Sequence, residues 1–253
     1  MPTTPQKTRK TVVKSPYFER CPKNGKPALE SPYFHPETEE SNTTLLIQCL
    51  TQLKPTLIQA YPESVSSDPW KLLIAVTLLN KTSGKLAIPI FHTLLQAYPT
   101  PLLLSQAEEF DLITTLRPLG TQNIRAKRLI SLSRVYLQDP PSRRDARPSR
   151  AAGPPISPRK RAKYPHTPIS HLPGAGAYAL DSYRIFCSDE WKDVLPSDKE
   201  LIKYLKWKWA VDENKEWTPG EGVLGPASAE YITELIEQLT PQESPSPIPS
   251  KGG

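Results

Sequence analysis

Apolar residues recur along this chain at the three-to-four-residue spacing of helices. Leu45, Leu46, Cys49, Leu50 and Leu53 fall on one helical face, as do Leu72, Leu73, Val76 and Leu79. Asp68-Pro69 ahead of Trp70 is a helix start: a carboxylate able to cap the first amides, then a proline in the first turn, where an N–H is not needed. The same periodicity predicts helices over 84–97, 107–117, 122–137, 177–187, 198–213 and 226–239. Strand alternation does not stand out anywhere, so the pattern predicts an all-α fold.

Between the periodic stretches lie segments with no helical pattern. Residues 1–38 are expected to be a disordered basic N-terminal tail. They hold the repeat Ser15-Pro16-Tyr17-Phe18 and Ser31-Pro32-Tyr33-Phe34, which is either a docking point for a protein partner or for the chain's own body, or chance. The helical body is expected in two parts, 39–138 and 165–240. A disordered, basic, Pro-rich insert at 139–164 separates them, and a disordered tail occupies 241–253.

Composition supports that division. Thirty prolines among 253 residues are too many to sit inside packed helices. The insert carries eight Lys/Arg against Asp139 and Asp145, a surplus of six that equals the +6 of the whole chain. Overall basicity therefore says little about the folded body, and a nucleic-acid face must be argued locally. The run Pro158-Arg-Lys-Arg-Ala-Lys163 has the make-up of a nuclear-import signal, so a nuclear location is expected. No apolar run is long enough to span a membrane, and the polar N-terminus has no signal-peptide core. Cys21, Cys49 and Cys187 have no paired spacing and cannot make a four-cysteine metal or cluster site; they fit a reducing compartment.

The most informative stretch is His171-Leu-Pro-Gly-Ala-Gly176 running into Ala177-Tyr178-Ala179-Leu180. Glycines at 174 and 176 allow a tight turn that opens a helix, and the first amides of that helix form a phosphate site. An ordinary helix-to-helix turn reads the same way. Leu172 to Gly176 resembles the hairpin of the helix-hairpin-helix DNA glycosylases. Leu195-Pro-Ser-Asp-Lys199 stands where that superfamily carries its catalytic aspartate. Asp68 to Ile74, Leu79-Asn-Lys-Thr-Ser-Gly-Lys85, Arg117-Pro-Leu-Gly120, Arg125-Ala-Lys127 and Asp181-Ser-Tyr-Arg-Ile-Phe-Cys187 are together similar to one branch. It is the branch of thymine/uracil mismatch glycosylases that carry a methyl-CpG-binding domain in vertebrates; no such domain is visible in residues 1–38. The resemblance covers roughly 55–138 and 164–213.

The resemblance implies two packed helical lobes around a cleft. It implies a monofunctional glycosylase acting on double-stranded DNA at G·T or G·U mismatches, with no membrane association, and a monomer is expected. Cleaving an N-glycosidic bond passes through an oxocarbenium-like state, which calls for a fixed carboxylate. Asp198 fills that role on the resemblance; on residue type alone it is a helix cap. Tyr178 replaces the Schiff-base lysine of bifunctional relatives. A phenol cannot form an imine, so Tyr178 is expected to stack on or hydrogen-bond a flipped base, or else to be a half-buried aromatic.

Gln59 resembles a glutamine that reads the thymine edge, and is otherwise a surface helix residue. Lys81 stands where the branch inserts an arginine wedge, and lysine cannot stack as a guanidinium does. Leu119, Gly120 and Thr121 correspond to the loop that meets the orphaned guanine, partly through backbone carbonyls. With the hairpin glycines Gly174 and Gly176, Arg125 and Lys127 complete the expected DNA contacts; Lys85 and Arg128 are further candidates. A solvated helix face explains these cations equally well. No metal or organic cofactor is expected, and the resemblance allows a monovalent cation held by hairpin carbonyls. The departures at Lys81 and Thr121 leave open a silent mismatch-binding module, or a glycosylase for alkylated bases.

Overall fold

The computed structural model describes residues 36–53, 65, 68–149, 152–157 and 160–240. Helix α1 (Pro36–Gln52) is followed by α2 (Pro69–Leu79), and the expected cap forms: Asp68 Oδ1 accepts from Trp70 N at 3.0 Å and Lys71 N at 3.2 Å. In α2, Trp70 and every residue from Leu72 to Leu78 are buried, so this helix is apolar all round and sits at the centre. It packs on α3 (Gly84–Ala97), α6 (Gln122–Gln138) and α7 (Ala177–Phe186). The Trp70 indole keeps its polar edge satisfied by donating to Ser133 Oγ at 3.0 Å. Trimming a fully buried leucine here, such as Leu73→Ala, costs about 2–5 kcal/mol in lost transfer energy and residual cavity.

Around this helix the chain builds two groups. Short α4 (Pro101–Ser105) and α5 (Glu109–Leu116) flank α6, and a 3-10 turn at Arg117–Leu119 leads into it. Pro89 lies inside α3 but is exposed, so the Lys85 carbonyl it leaves without an amide partner lies on the exposed side. The second group holds α8 (Lys199–Glu213), the antiparallel ribbon β3 (Lys215–Thr218) with β4 (Gly222–Pro226), and α9 (Ala229–Leu239). Trp217 is the buried anchor of the ribbon, and Tyr231 Oη donates to its carbonyl at 3.1 Å.

The helical fold class is as the periodicity implies, and helix ends agree within a few residues. Two antiparallel ribbons and α4 do not show in the hydrophobic pattern. β1 (Ala152–Ser157) pairs with β2 (Lys160–Lys163) inside the insert expected to be disordered, despite Pro154 and Pro155. In a two-stranded ribbon each strand is an edge, so prolines can face away from the ladder. The start of the insert is also tied down. Arg147 pairs with Asp139 and Asp145, and its backbone bridges Thr167 with two 3.1 Å bonds. His171 Nε2 lies 2.8 Å from the Asp139 carbonyl. No helix among the described residues is long and apolar enough to cross a membrane.

Candidate active site

A cavity of about 680 Å³ opens where the α2–α3 loop faces the N-termini of α7 and α8. Its walls are Leu79 to Lys85 from the loop, Tyr178 from α7, and Asp198, Lys199, Glu200 and Lys203 from α8. Asp198, Tyr178 and Lys81, distant in sequence, thus share one space. Its volume is in the roughly 300–1,000 Å³ range of small-ligand pockets.

Asp198 is the N-cap of α8. Its Oδ1 accepts from Glu200 N at 3.0 Å and Leu201 N at 3.1 Å. Those bonds fix the carboxylate, and the positive end of the helix dipole favours its charge. Both bonds engage the same oxygen, Oδ1. The cap and a carboxylate facing the cavity are therefore compatible. Tyr178, half-buried, is the second residue of α7 and also faces the cavity.

The hairpin glycines differ from each other. Gly174 has φ +90°, a conformation L side chains rarely adopt, and a Cβ there would lie 3.2 Å from Arg128 Cδ. Gly176, expected to need the same freedom, has φ −83° in ordinary extended backbone and open space where a Cβ would stand. Bareness at 176 leaves room for an incoming group rather than for the turn. Ala175 N and Gly176 N are spent on the carbonyls of Leu172 (3.2 Å) and Gly174 (2.8 Å). The outward donors are thus the first-turn amides of α7, which have no intrahelical acceptor. A cation held by the hairpin would share carbonyls already accepting these amides. Outside the hairpin a second concavity of about 900 Å³ is bordered by Asn80, Arg128, Arg147 and Ser170 to Gly176.

Arg125 is not placed as an exposed phosphate contact. It is 6% exposed, and its guanidinium is spent inside the protein. Nη1 donates to Leu78 O at 2.6 Å, Nη2 to Asn80 O at 3.0 Å and Thr82 Oγ1 at 2.6 Å, and Nε to Thr121 Oγ1 at 3.1 Å. Burial, then the nearby Arg128 charge, lowers its pKa from the ordinary arginine value. Lys127, on the other side of α6, is exposed and pairs with Glu109 at 3.7 Å. Leu119 turns its side chain into the core, leaving backbone to face outward beside exposed Gly120 (φ +69°) and Thr121. Lys81 and Thr121 both adopt left-handed backbone, φ 57° and 48°. That is uncommon for any side chain and an outlier for a β-branched one. Gln59 lies outside the described residues.

Lys81, Lys85, Lys199 and Lys203 line the cavity against Asp198 and Glu200, so its walls are net cationic. Behind it lies a buried group that periodicity does not single out. Tyr164 Oη donates to Asp181 Oδ1 at 2.5 Å, and Arg184 is buried nearby, bonding Glu190 at 2.8 Å. Burial pushes the Asp181 carboxyl up, against the Tyr164 hydrogen bond and the Arg184 charge, and the Asp198 charge adds to the rise. Trp70, Trp191, Trp207 and Trp209 are buried in the core. Among the described residues no cluster of His, Cys, Asp or Glu is placed to hold a metal ion.

No family model matches the chain. It is 30% identical over 137 residues to a methyl-CpG-binding domain protein 4-like protein of Arabidopsis thaliana, covering 54% of this chain and 25% of that one. A thymine-DNA glycosylase of Aeropyrum pernix is 38% identical over 69 residues, 27% of this chain and 31% of the relative. A thymine/uracil-DNA glycosylase of Pyrobaculum aerophilum is 27% identical over 158 residues, 61% of this chain and 58% of the relative. The matched segments thus span less than two thirds of each relative's length. Over those segments the chain is similar in sequence to proteins named as thymine- and thymine/uracil-DNA glycosylases.

Proposed function

We propose that the chain is a monofunctional DNA glycosylase that flips thymine or uracil out of a mismatch with guanine and hydrolyses its N-glycosidic bond. The observation that carries this is the shared cavity of Asp198, Tyr178 and the Lys81 loop. The target base leaves the stack and enters the cavity, where Tyr178 stacks on it or bonds its edge. Lys81 fills the space left behind. As the C1′–N1 bond breaks, its electron pair goes to the base and positive charge builds on the sugar, where Asp198 stabilises it. Water adds to C1′ and its proton passes to the carboxylate or to solvent. The four lysines favour both the departing anionic base and the flanking phosphates.

Single-turnover assays on G·T, G·U and alkylated-base duplexes test the reading. Excision confined to the first two supports it. Tight mismatch binding without excision would identify a silent binding module, and preference for alkylated bases a different specificity. Lys199 and Lys203 at the cavity wall favour one second reading, a bifunctional lyase acting through a lysine imine. Borohydride trapping that disappears in Lys199→Ala or Lys203→Ala would establish it; on our reading nothing is trapped. The proposed site of action is the nucleus, on the basic run 158–163. Loss of nuclear accumulation of a fluorescent fusion on neutralising that run is the matching test.

A further inference from the structure

We propose that Arg125 is a positioning residue that locks two DNA-facing loops into one unit, so that filling the vacated stack and contacting the opposite base become a single event. The inference rests on the function proposed above. Its observation is a four-bond fork. One buried guanidinium uses four of its five N–H donors on two segments that are distant in sequence. One bond holds the end of α2 at Leu78 O, two hold the wedge loop at Asn80 O and Thr82 Oγ1, and the fourth holds Thr121 Oγ1 beside Gly120. No acidic partner among the described residues shares the charge. The carbonyls reached at the end of α2 are ones a helix terminus leaves open, so a plain capping role would need only those bonds. The bond to Thr121 exceeds it.

Backbone conformation makes the same point. Each loop carries a non-glycine residue in left-handed backbone, Lys81 at φ 57° and Thr121 at φ 48°. Such conformations persist where surroundings over-determine them. The fork reaches the neighbours of Lys81 on both sides and the side chain of Thr121 itself. Releasing Thr121 therefore removes one restraint from its own loop and also frees Nε, loosening the guanidinium that holds the other loop. A lysine at 125 has three donors at one point and cannot span these acceptors.

The experiment uses the full chain with Arg125→Lys, Thr121→Val and Thr82→Val. Both threonine changes keep shape and remove an acceptor of Arg125, Thr82→Val also removing its hydroxyl's 3.4 Å bond to Asn80 O, and neither residue lies in the core. Millisecond hydrogen exchange of the amides at 80–82 and 120–122 is read in free protein. Flipping is read from 2-aminopurine fluorescence beside a G·T mismatch, and excision under single turnover. On this proposal Thr121→Val raises exchange at 80–82 as well as in its own loop. It also slows flipping and excision roughly 10-fold while mismatch affinity changes less than about 3-fold, an effect sized as for directly coupled residues. The Thr82→Val/Thr121→Val pair is then no slower than the slower single change. Exchange confined to the mutated loop, or an additive double variant, overturns the proposal. Should Arg125→Lys fail to fold, the threonine pair still decides. If wild type excises nothing, the assigned activity fails, while exchange still reports whether the loops are coupled.

Discussion

Replacing Asp198 by asparagine separates two roles that share one side chain. Asparagine retains an Oδ1 that can accept from Glu200 N and Leu201 N, the bonds now at 3.0 and 3.1 Å. Asn and Asp cap helices about equally well, so the structural loss is the charge–dipole part alone, about 0.3–1 kcal/mol. For a body of this size 1 kcal/mol moves Tm by about 2–4 °C, so Asp198→Asn should melt within about that range of wild type. Excision should fall by about 10²–10³, the usual loss when one preorganised electrostatic stabiliser is removed, equivalent to roughly 3–4 kcal/mol of barrier. Asp198→Ala loses the cap as well. It should lose activity to the same degree and, through about 1 kcal/mol more instability, melt lower than the asparagine variant. Single-turnover excision from a G·T duplex, thermal melts and fluorescence anisotropy read the three quantities. Affinity for mismatched DNA should hold or improve, since an anion facing the DNA is gone. An asparagine variant within about threefold of wild type in rate would place the catalytic carboxylate elsewhere and leave Asp198 a cap only.

Lys81→Ala should slow excision more than it weakens ground-state DNA binding, and Lys81→Arg should keep or raise the rate; an alanine variant equal to wild type on G·T duplexes would move the wedge elsewhere. Asp181 carries a pH prediction. Its pKa is raised on folding, so the folded state binds the extra proton, and stability falls as pH rises from the unfolded value of about 3.9 through the folded one. Asp181→Asn, which can still accept from Tyr164 Oη, should therefore gain on wild type across that window and keep the gain at neutral pH. Melts in which the gap narrows with rising pH would show instead that Arg184 makes the ionised form stabilising. Deleting 150–163 should leave Tm and rate near wild type, whereas deleting 139–164 should lower both by removing the Arg147 pairs and the Asp139 carbonyl that meets His171.

Helix existence and most helix ends were legible, because α2, α3 and α6 advertise their starts through Asp68-Pro69, Gly84 and the turn at Gly120. The grouping of Asp198, Tyr178 and Lys81 was not legible from spacing, since it depends on how three helices converge; family resemblance supplied it. Arg125 was misplaced by residue type, yet the pattern held a signal. Buried Ala126, Leu129, Leu132 and Ser133 put position 125 on the inner stripe of α6, and Lys127 on the outer one. Asp181 hides similarly inside a run of buried residues from 179 to 185. The ribbons escaped because β3 buries only Trp217 and β1 includes adjacent prolines, leaving no alternation to read.

The Trp207 indole donates to the Leu50 carbonyl at 2.9 Å, a bond between positions 157 residues apart. As the chain emerges from a ribosome, α2 to α6 can gather their shared core early, whereas the bond from Trp207 to α1 cannot form until α8 has been made. Until then the carbonyl of Leu50, fully buried in the finished fold, lacks this donor. Closing so large a loop costs only about 0.6 kcal/mol more for each doubling of its length, so the burden falls on timing rather than on final stability. Synthesis stalled before residue 207 leaves that bond, and the tie it makes between the two ends of the fold, unmade.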